Sequence, residues 1–110
     1  MHKFRTHTCL ELTKKNKDQK IALAGWINKK RDHGNLLFVD LRDNFGITQC
    51  VIDKSNKFFK ELEKLQLESV IKIDGVVVER SQETINPDLN TGEIEVKVIS
   101  FNVLGHCKEL

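Results

Sequence analysis

The chain has no tyrosine, one proline, one tryptophan and three cysteines among its 110 residues. Cys9, Cys50 and Cys107 form an odd set without CxxC spacing, which argues against a disulfide scaffold and for free thiols in a reducing compartment. His2, His7, His33 and His106 show no metal-ligand spacing, and His7 beside Cys9 is too little for a site, so no metal is expected. No apolar run approaches the roughly 18–20 residues that span a bilayer, and 31% charged residues argue against a membrane protein. The opening MHKFRTHTCLEL lacks a hydrophobic signal region, so a cytoplasmic location is expected. Enzyme signatures are missing too: there is no glycine-rich phosphate loop, no GxSxG and no nucleophile–base pair. Cys50 sits in an apolar strand, where a thiol is inert. The segment reads as a binding module.

A large charge of one sign is also absent, since the net charge is +2. Its distribution is uneven. Residues 1–33 carry nine Lys/Arg against three Asp/Glu, and residues 34–110 carry nine against thirteen. Clustered cations suit a nucleic-acid backbone, although charge counting alone favours an ordinary solvated face.

What is present is a single domain, residues 1–110, long enough to fold without metal or disulfides, with 39% apolar residues that argue against disorder. Thr8-Cys9-Leu10-Glu11 fits a capping box and predicts a short helix over about 9–15. KIALAGWINKKR is apolar on both faces and reads as a buried strand bent at Gly25, with Trp26 in the core rather than at a ligand. After the turn Asp32-His33-Gly34-Asn35, LLFVDLR alternates, with Leu37, Val39 and Leu41 on one face and Phe38, Asp40 and Arg42 on the other. Asp43-Asn44-Phe45-Gly46 closes a hairpin onto ITQCVI. Ser55 can cap a helix carrying Phe58, Leu62 and Leu65. SVIKIDGVVVER is a fourth strand with a glycine kink, residues 81–92 are a long loop, and EIEVKVISFNVLG is a fifth strand. The apolar phase of that last strand slips from Ile94, Val96, Val98 to Ile99, Phe101, Val103, which predicts a bulge. This is the order of a mainly-β OB-fold: a five-stranded Greek-key barrel with a helix between strands three and four and a short N-terminal helix.

OB-folds present strands two and three, rimmed by two loops, to oligonucleotides or oligosaccharides. Phe38 lies on that face with the charged Asp40 and Arg42, where it either stacks on a base or caps an open barrel end. The rim Lys29-Lys30-Arg31-Asp32-His33-Gly34 combines phosphate-seeking charge with a mouldable turn; Arg31 can donate to a base or phosphate, and Asp32 can accept from an amine or pin Arg31. Gln49 has the donor and acceptor to pair with a splayed base, and its parity with Ile47 and Val51 equally allows a buried, satisfied amide. Glu95 could accept from guanine N–H groups or face solvent as an ordinary glutamate. Asn86-Pro87 is first a turn signal.

The run from Gly25 to Asp43, GWINKKRDHGNLLFVDLRD, resembles the GWVxxxRDxGxxxFxDLRD signature of the N-terminal domain of bacterial-type aspartyl-tRNA synthetases. The likeness continues through Gly46-Ile47-Thr48-Gln49-Cys50-Val51, Ile85-Asn86 and Thr91-Gly92-Glu93-Ile94-Glu95-Val96, starting from Arg5-Thr6-His7-Thr8-Cys9. Its opening is shared more loosely with asparaginyl and lysyl relatives, whereas RDHGNLLFVDLRDNFGITQ is close to specific. The resemblance implies an anticodon-binding domain of a longer class II ligase. It implies that the middle anticodon base, U, stacks on Phe38 and pairs with Gln49, while Glu95 meets the first base, G. The Arg31–Asp32 loop would lie against the third base, with His33, Gly34 and Asp40 in the same site, Asn86 closing over it, and Lys29 and Lys30 near the RNA backbone. In similar enzymes a histidine at the place of His33 goes with acceptance of both C and U at the third base, hence of tRNA(Asp) and tRNA(Asn). The resemblance further implies a homodimeric parent that uses ATP and Mg2+ in a catalytic body whose motifs this segment lacks. Two other readings stay open: a sequence-neutral single-strand binder, and a protein-interaction or dimer-supporting OB domain.

Overall fold

A computed structural model describes residues 5–105; His2, His106 and Cys107 lie outside that range. Five strands close into a barrel: β1 (Lys20–Asp32), β2 (Leu36–Arg42), β3 (Ile47–Asp53), β4 (Val70–Glu79) and β5 (Ile94–Gly105). The order around the ring is β1-β2-β3-β5-β4, with β4 returning to β1. All pairs are antiparallel except β3 with β5. The helix α1 (Phe59–Lys64) lies between β3 and β4 and buries Phe59 and Leu62. The expected OB-fold is therefore present.

The interior is built by strand alternation. Leu23 and Ile27 of β1, Val39 and Leu41 of β2, Cys50 and Ile52 of β3, Ile71 and Ile73 of β4, and Val96 and Phe101 of β5 share one core. A barrel this narrow needs close backbone approach, and glycine supplies it. A Cβ at Gly25 would lie 2.3 Å from the Arg42 carbonyl oxygen, and one at Gly75 would lie 2.5 Å from that of Lys97. The register shifts by a single residue between Ile27 and Lys29, past Gly25, and again directly at Asp74/Gly75.

Four local expectations need correction. No helix forms over 9–15. Glu11 does accept from the Thr8 N–H (2.9 Å), but the Cys9 N–H goes to Asp43 Oδ2 (2.8 Å), and this tertiary bond holds the segment in a single turn. The capping box belongs instead to Thr13 and Asn16, which hold a 3-10 turn at Lys14–Asn16. Ser55 does not cap α1: Asn56 accepts from the Phe58 N–H (2.8 Å) and donates to the Val98 and Ile99 carbonyls, so it orients the helix against β5. Trp26 is half-buried on the outer wall with Ala22 and Ala24, because Ile21, Leu23 and Ile27 take the inward parity. In β5 the bulge falls where expected, yet the extra residue is Ile99 itself, 48% exposed, since Asp74 pairs with Ser100 and Gly75 with Val98.

Candidate nucleic-acid interface

The outer wall of β1, β2, β3 and β5 carries a row of polar side chains. The β1–β2 register sets Arg31 opposite Phe38, and the β2–β3 register sets Asp40 opposite Gln49. Arg31 forks onto both carboxylate oxygens of Asp40 (2.9 and 3.0 Å) and also donates to Gln49 Oε1 (2.8 Å). Gln49 Nε2 in turn donates to Glu95 Oε1 (2.9 Å). The row reads carboxylate, guanidinium, amide, carboxylate. Hydrogen bonding to Asp40 raises the pKa of Arg31 against the opposing effect of its partial burial, so the guanidinium stays charged.

Beside this row the half-buried Phe38 ring meets the His33 ring edge-on, centroids 5.0 Å apart. Arg31, His33, Phe38, Gln49 and Thr84 line a shallow pocket of about 170 Å³. A flat ring, a cation and a part-satisfied amide around one pocket can stack a base and read its edge. A larger pocket of about 340 Å³, between Asp43–Ile47 and Asp88–Asn90, holds none of the predicted site residues.

Arg31, His33, Phe38, Asp40, Gln49 and Glu95 thus come together. Gln49 is 7% exposed with each amide end engaged once, so it is buried and held while still lining the pocket with one donor and one acceptor position open. Asp32 does not hold Arg31; its Oδ1 accepts from the Gly34 N–H (2.8 Å) and shapes the turn, and Asp40 across the sheet takes Arg31 instead. Asn86 is not drawn in either, because its Oδ1 accepts from Asp88 N–H (3.0 Å) and its backbone pairs with Gly92. Lys29 is exposed on the Arg31 side of β1. Lys30 points to the other side, where its ammonium donates to the carbonyls of Glu63 (2.7 Å) and Leu65. Of the other N-terminal cations, Lys14 and Lys17 pair with Glu93 and Glu79, and Arg5 with Asp43. Among the described residues no group of three His, Cys, Asp or Glu is placed to hold a metal. Cys9 and Cys50 are buried, and burial pushes both thiols above their ordinary range.

Sequence reasoning missed two residues. Thr84 lines the pocket from the 3-10 turn at Gln82–Thr84. Arg80, 7% exposed, ties that turn down by donating Nη1 to the Thr84 carbonyl (2.9 Å) and Nε to the Ile94 carbonyl (2.8 Å). Its Nη2 is buried without a hydrogen-bond partner among the described residues. Burial lowers its pKa, opposed by the nearby Glu95 and Asp40 carboxylates. At the end of an apolar strand an arginine ordinarily faces solvent, so no local pattern flags it.

The tRNA anticodon family, described as an OB-fold nucleic acid binding domain, matches residues 21–104. The chain is 70% identical over all 110 residues to the aspartate–tRNA(Asp/Asn) ligase of Pelagibacter ubique and 50% identical to that of Zymomonas mobilis. It spans 18% of the length of each of these relatives. Among solved structures, the asparaginyl-tRNA synthetase of Pyrococcus horikoshii superposes with a TM-score of 0.77 at 27% identity, covering 94% of this chain and 24% of that one. The aspartyl-tRNA synthetase of Entamoeba histolytica gives 0.82 at 22% identity over 93% of this chain and 21% of that one. An OBody bound to hen egg-white lysozyme gives 0.79 at 21% identity, covering 97% of this chain and 99% of that one; there the fold stands as a chain of its own.

Proposed function

Since the chain belongs to the tRNA anticodon family of OB-fold nucleic acid binding domains, we propose that it is the anticodon-reading domain of an aspartate–tRNA ligase serving tRNA(Asp) and tRNA(Asn). The observation that carries this reading is the row Asp40–Arg31–Gln49–Glu95 beside the Phe38 ring, on a chain 70% identical throughout to part of a ligase named for both tRNAs. Aspartate and asparagine codons share A at the middle and end in U or C. Their tRNAs therefore share an anticodon that starts GU and differ in its third base, C or U.

In this reading one anticodon base stacks on Phe38, and the Gln49 amide, with one donor and one acceptor position still open, pairs with its exposed edge. Glu95 has a second oxygen free to accept from the N–H groups of guanine, a charge-assisted contact. Lys29 meets the phosphate backbone, and His33 borders the third base. The ATP- and Mg2+-dependent attachment of the amino acid, and any pairing of subunits, belong to the remainder of the ligase.

The test is equilibrium binding of labelled anticodon stem-loops. Loops with GUC and GUU should bind within about tenfold of each other, or 1.4 kcal/mol. Replacing the first G or the middle U should weaken binding by about 1–3 kcal/mol each. Equal binding of all loops would make the chain a sequence-neutral module. A preference for GUC over GUU beyond tenfold would remove tRNA(Asn) from the proposal.

A further inference from the structure

A glutamine amide can ordinarily turn over and exchange its donor and acceptor ends. Gln49 cannot do so freely. Arg31 offers only donors, and an ionised Glu95 offers only acceptors. With Oε1 toward Arg31 and Nε2 toward Glu95, both contacts are hydrogen bonds. With the amide reversed, its NH2 would face a guanidinium N–H and its oxygen would face a carboxylate, so both contacts would repel. Asp40 holds Arg31 in place from behind with two hydrogen bonds. The orientation of Gln49 follows from the chemistry of its neighbours.

We propose that Arg31, Asp40 and Glu95 act as positioning residues that lock the Gln49 amide, and that this lock makes the pocket accept uracil and reject cytosine at the middle anticodon position. The inference deepens the anticodon reading above and rests on it. Uracil carries a hydrogen on N3, whereas the N3 of cytosine is an acceptor. A base stacked on Phe38 with N3 toward Oε1 gives uracil an N3–H···Oε1 bond, and its O4 takes the free Nε2 hydrogen. Cytosine in the same pose sets its N3 lone pair against Oε1 and its N4 amino group against the Nε2 amino group. An amide free to turn would relieve both clashes and bind either pyrimidine. A locked amide would exchange those clashes for two others, against Arg31 and Glu95. Selectivity thus comes from the groups on either side of the reading residue.

The experiment compares stem-loops with GUC and GCC anticodons, so the first base is constant and any contact it makes with Glu95 cancels in the ratio. Three variants release the lock differently. Arg31→Lys keeps the charge and loses the fork that spans Asp40 and Gln49. Asp40→Asn offers Arg31 one acceptor oxygen in place of two. Glu95→Gln brings an amide that suits Gln49 in either orientation. Each variant that retains the wild-type thermal transition should lower the uracil-over-cytosine ratio about tenfold, chiefly by tightening GCC relative to GUC. The Gln49 side-chain amide protons should also shift on Glu95→Gln in the protein without RNA. If the folded variants keep the wild-type ratio while Gln49→Ala abolishes it, the lock is refuted and the anticodon reading survives. A wild type that does not separate GUC from GCC overturns both.

Discussion

Lys30 and Arg31 are consecutive in β1 and serve opposite sides of the barrel wall. Lys30 is registered with Val39, a core residue, so it leaves the strand on the inner side at the barrel mouth. There its ammonium satisfies the carbonyls of Glu63 and Leu65, groups that the end of a helix otherwise leaves without partners. Partial burial lowers its pKa, and the Glu63 carboxylate opposes that shift. Arg31 is registered with Phe38 and leaves on the outer side, where it joins side chains rather than backbone. The difference separates two uses of a cation. On the inner side, bonds to the chain's own carbonyls complete the fold. On the outer side, the polar groups are held by one another's side chains, so the row is ordered across the barrel wall.

That division predicts that stability and RNA selectivity separate by face. The largest effect should come from the inner side. Ile73 is fully buried between Leu23 of β1 and Phe101 of β5. Ile73→Ala should cost about 2–5 kcal/mol of unfolding free energy in urea titrations, through lost burial and the cavity left behind. The molecules still folded should keep the wild-type ratio of GUC to GCC binding. A loss under about 1 kcal/mol, or a changed ratio, would break the comparison at its root.

The next effect belongs to the outer side. Phe38 is half-buried and outside the core cluster. Phe38→Ala should weaken binding of the GUC stem-loop by about 1–3 kcal/mol, the range for a lost base–aromatic stack. Thermal unfolding should move little. Unchanged affinity would remove the stacking role, and an unfolded variant would put Phe38 on the structural side.

The two faces also differed in how far they could be read from the sequence. Where strands alternate cleanly, as in Leu37, Val39 and Leu41 against Phe38, Asp40 and Arg42, the inward and outward sets were legible, and with them the barrel. Trp26 was misplaced because β1 is apolar on both parities, which leaves alternation without contrast. The helix over 9–15 failed because the decisive bond runs from Cys9 to Asp43, 34 residues away. The site was legible as residue types and less so as pairs. Arg31 has Asp32 beside it in sequence, yet Asp40 is its partner through strand register, which a bulge between Ile27 and Lys29 sets. Arg80 and Thr84 stayed hidden because their role comes from a loop folding back onto the strand that precedes it.

The smallest predicted effects test the Lys30–Arg31 contrast one position to either side of the wall. Lys29 shares the outward parity of Arg31 and is exposed, whereas Lys30 is tied to the residues that close α1. Charge counting treats the two lysines alike; strand parity does not. Lys30→Met keeps most of the aliphatic stem and removes the ammonium, so it should lower unfolding free energy by about 1 kcal/mol, the net worth of a hydrogen bond or two. It should leave the salt dependence of stem-loop binding as it was. Lys29→Met should do the reverse: stability stays within about 0.5 kcal/mol, as for surface substitutions generally, and the slope of log affinity against log salt falls by roughly one unit, as for one lost phosphate contact. Titrating both variants and the wild type across a salt series reads the two quantities side by side. If Lys30→Met flattens the slope as much as Lys29→Met, the ammonium of Lys30 leaves its carbonyls for RNA, and the inner and outer uses of charge are not separate. If only Lys29→Met flattens it, the side of the strand decides which cation meets the backbone of the ligand.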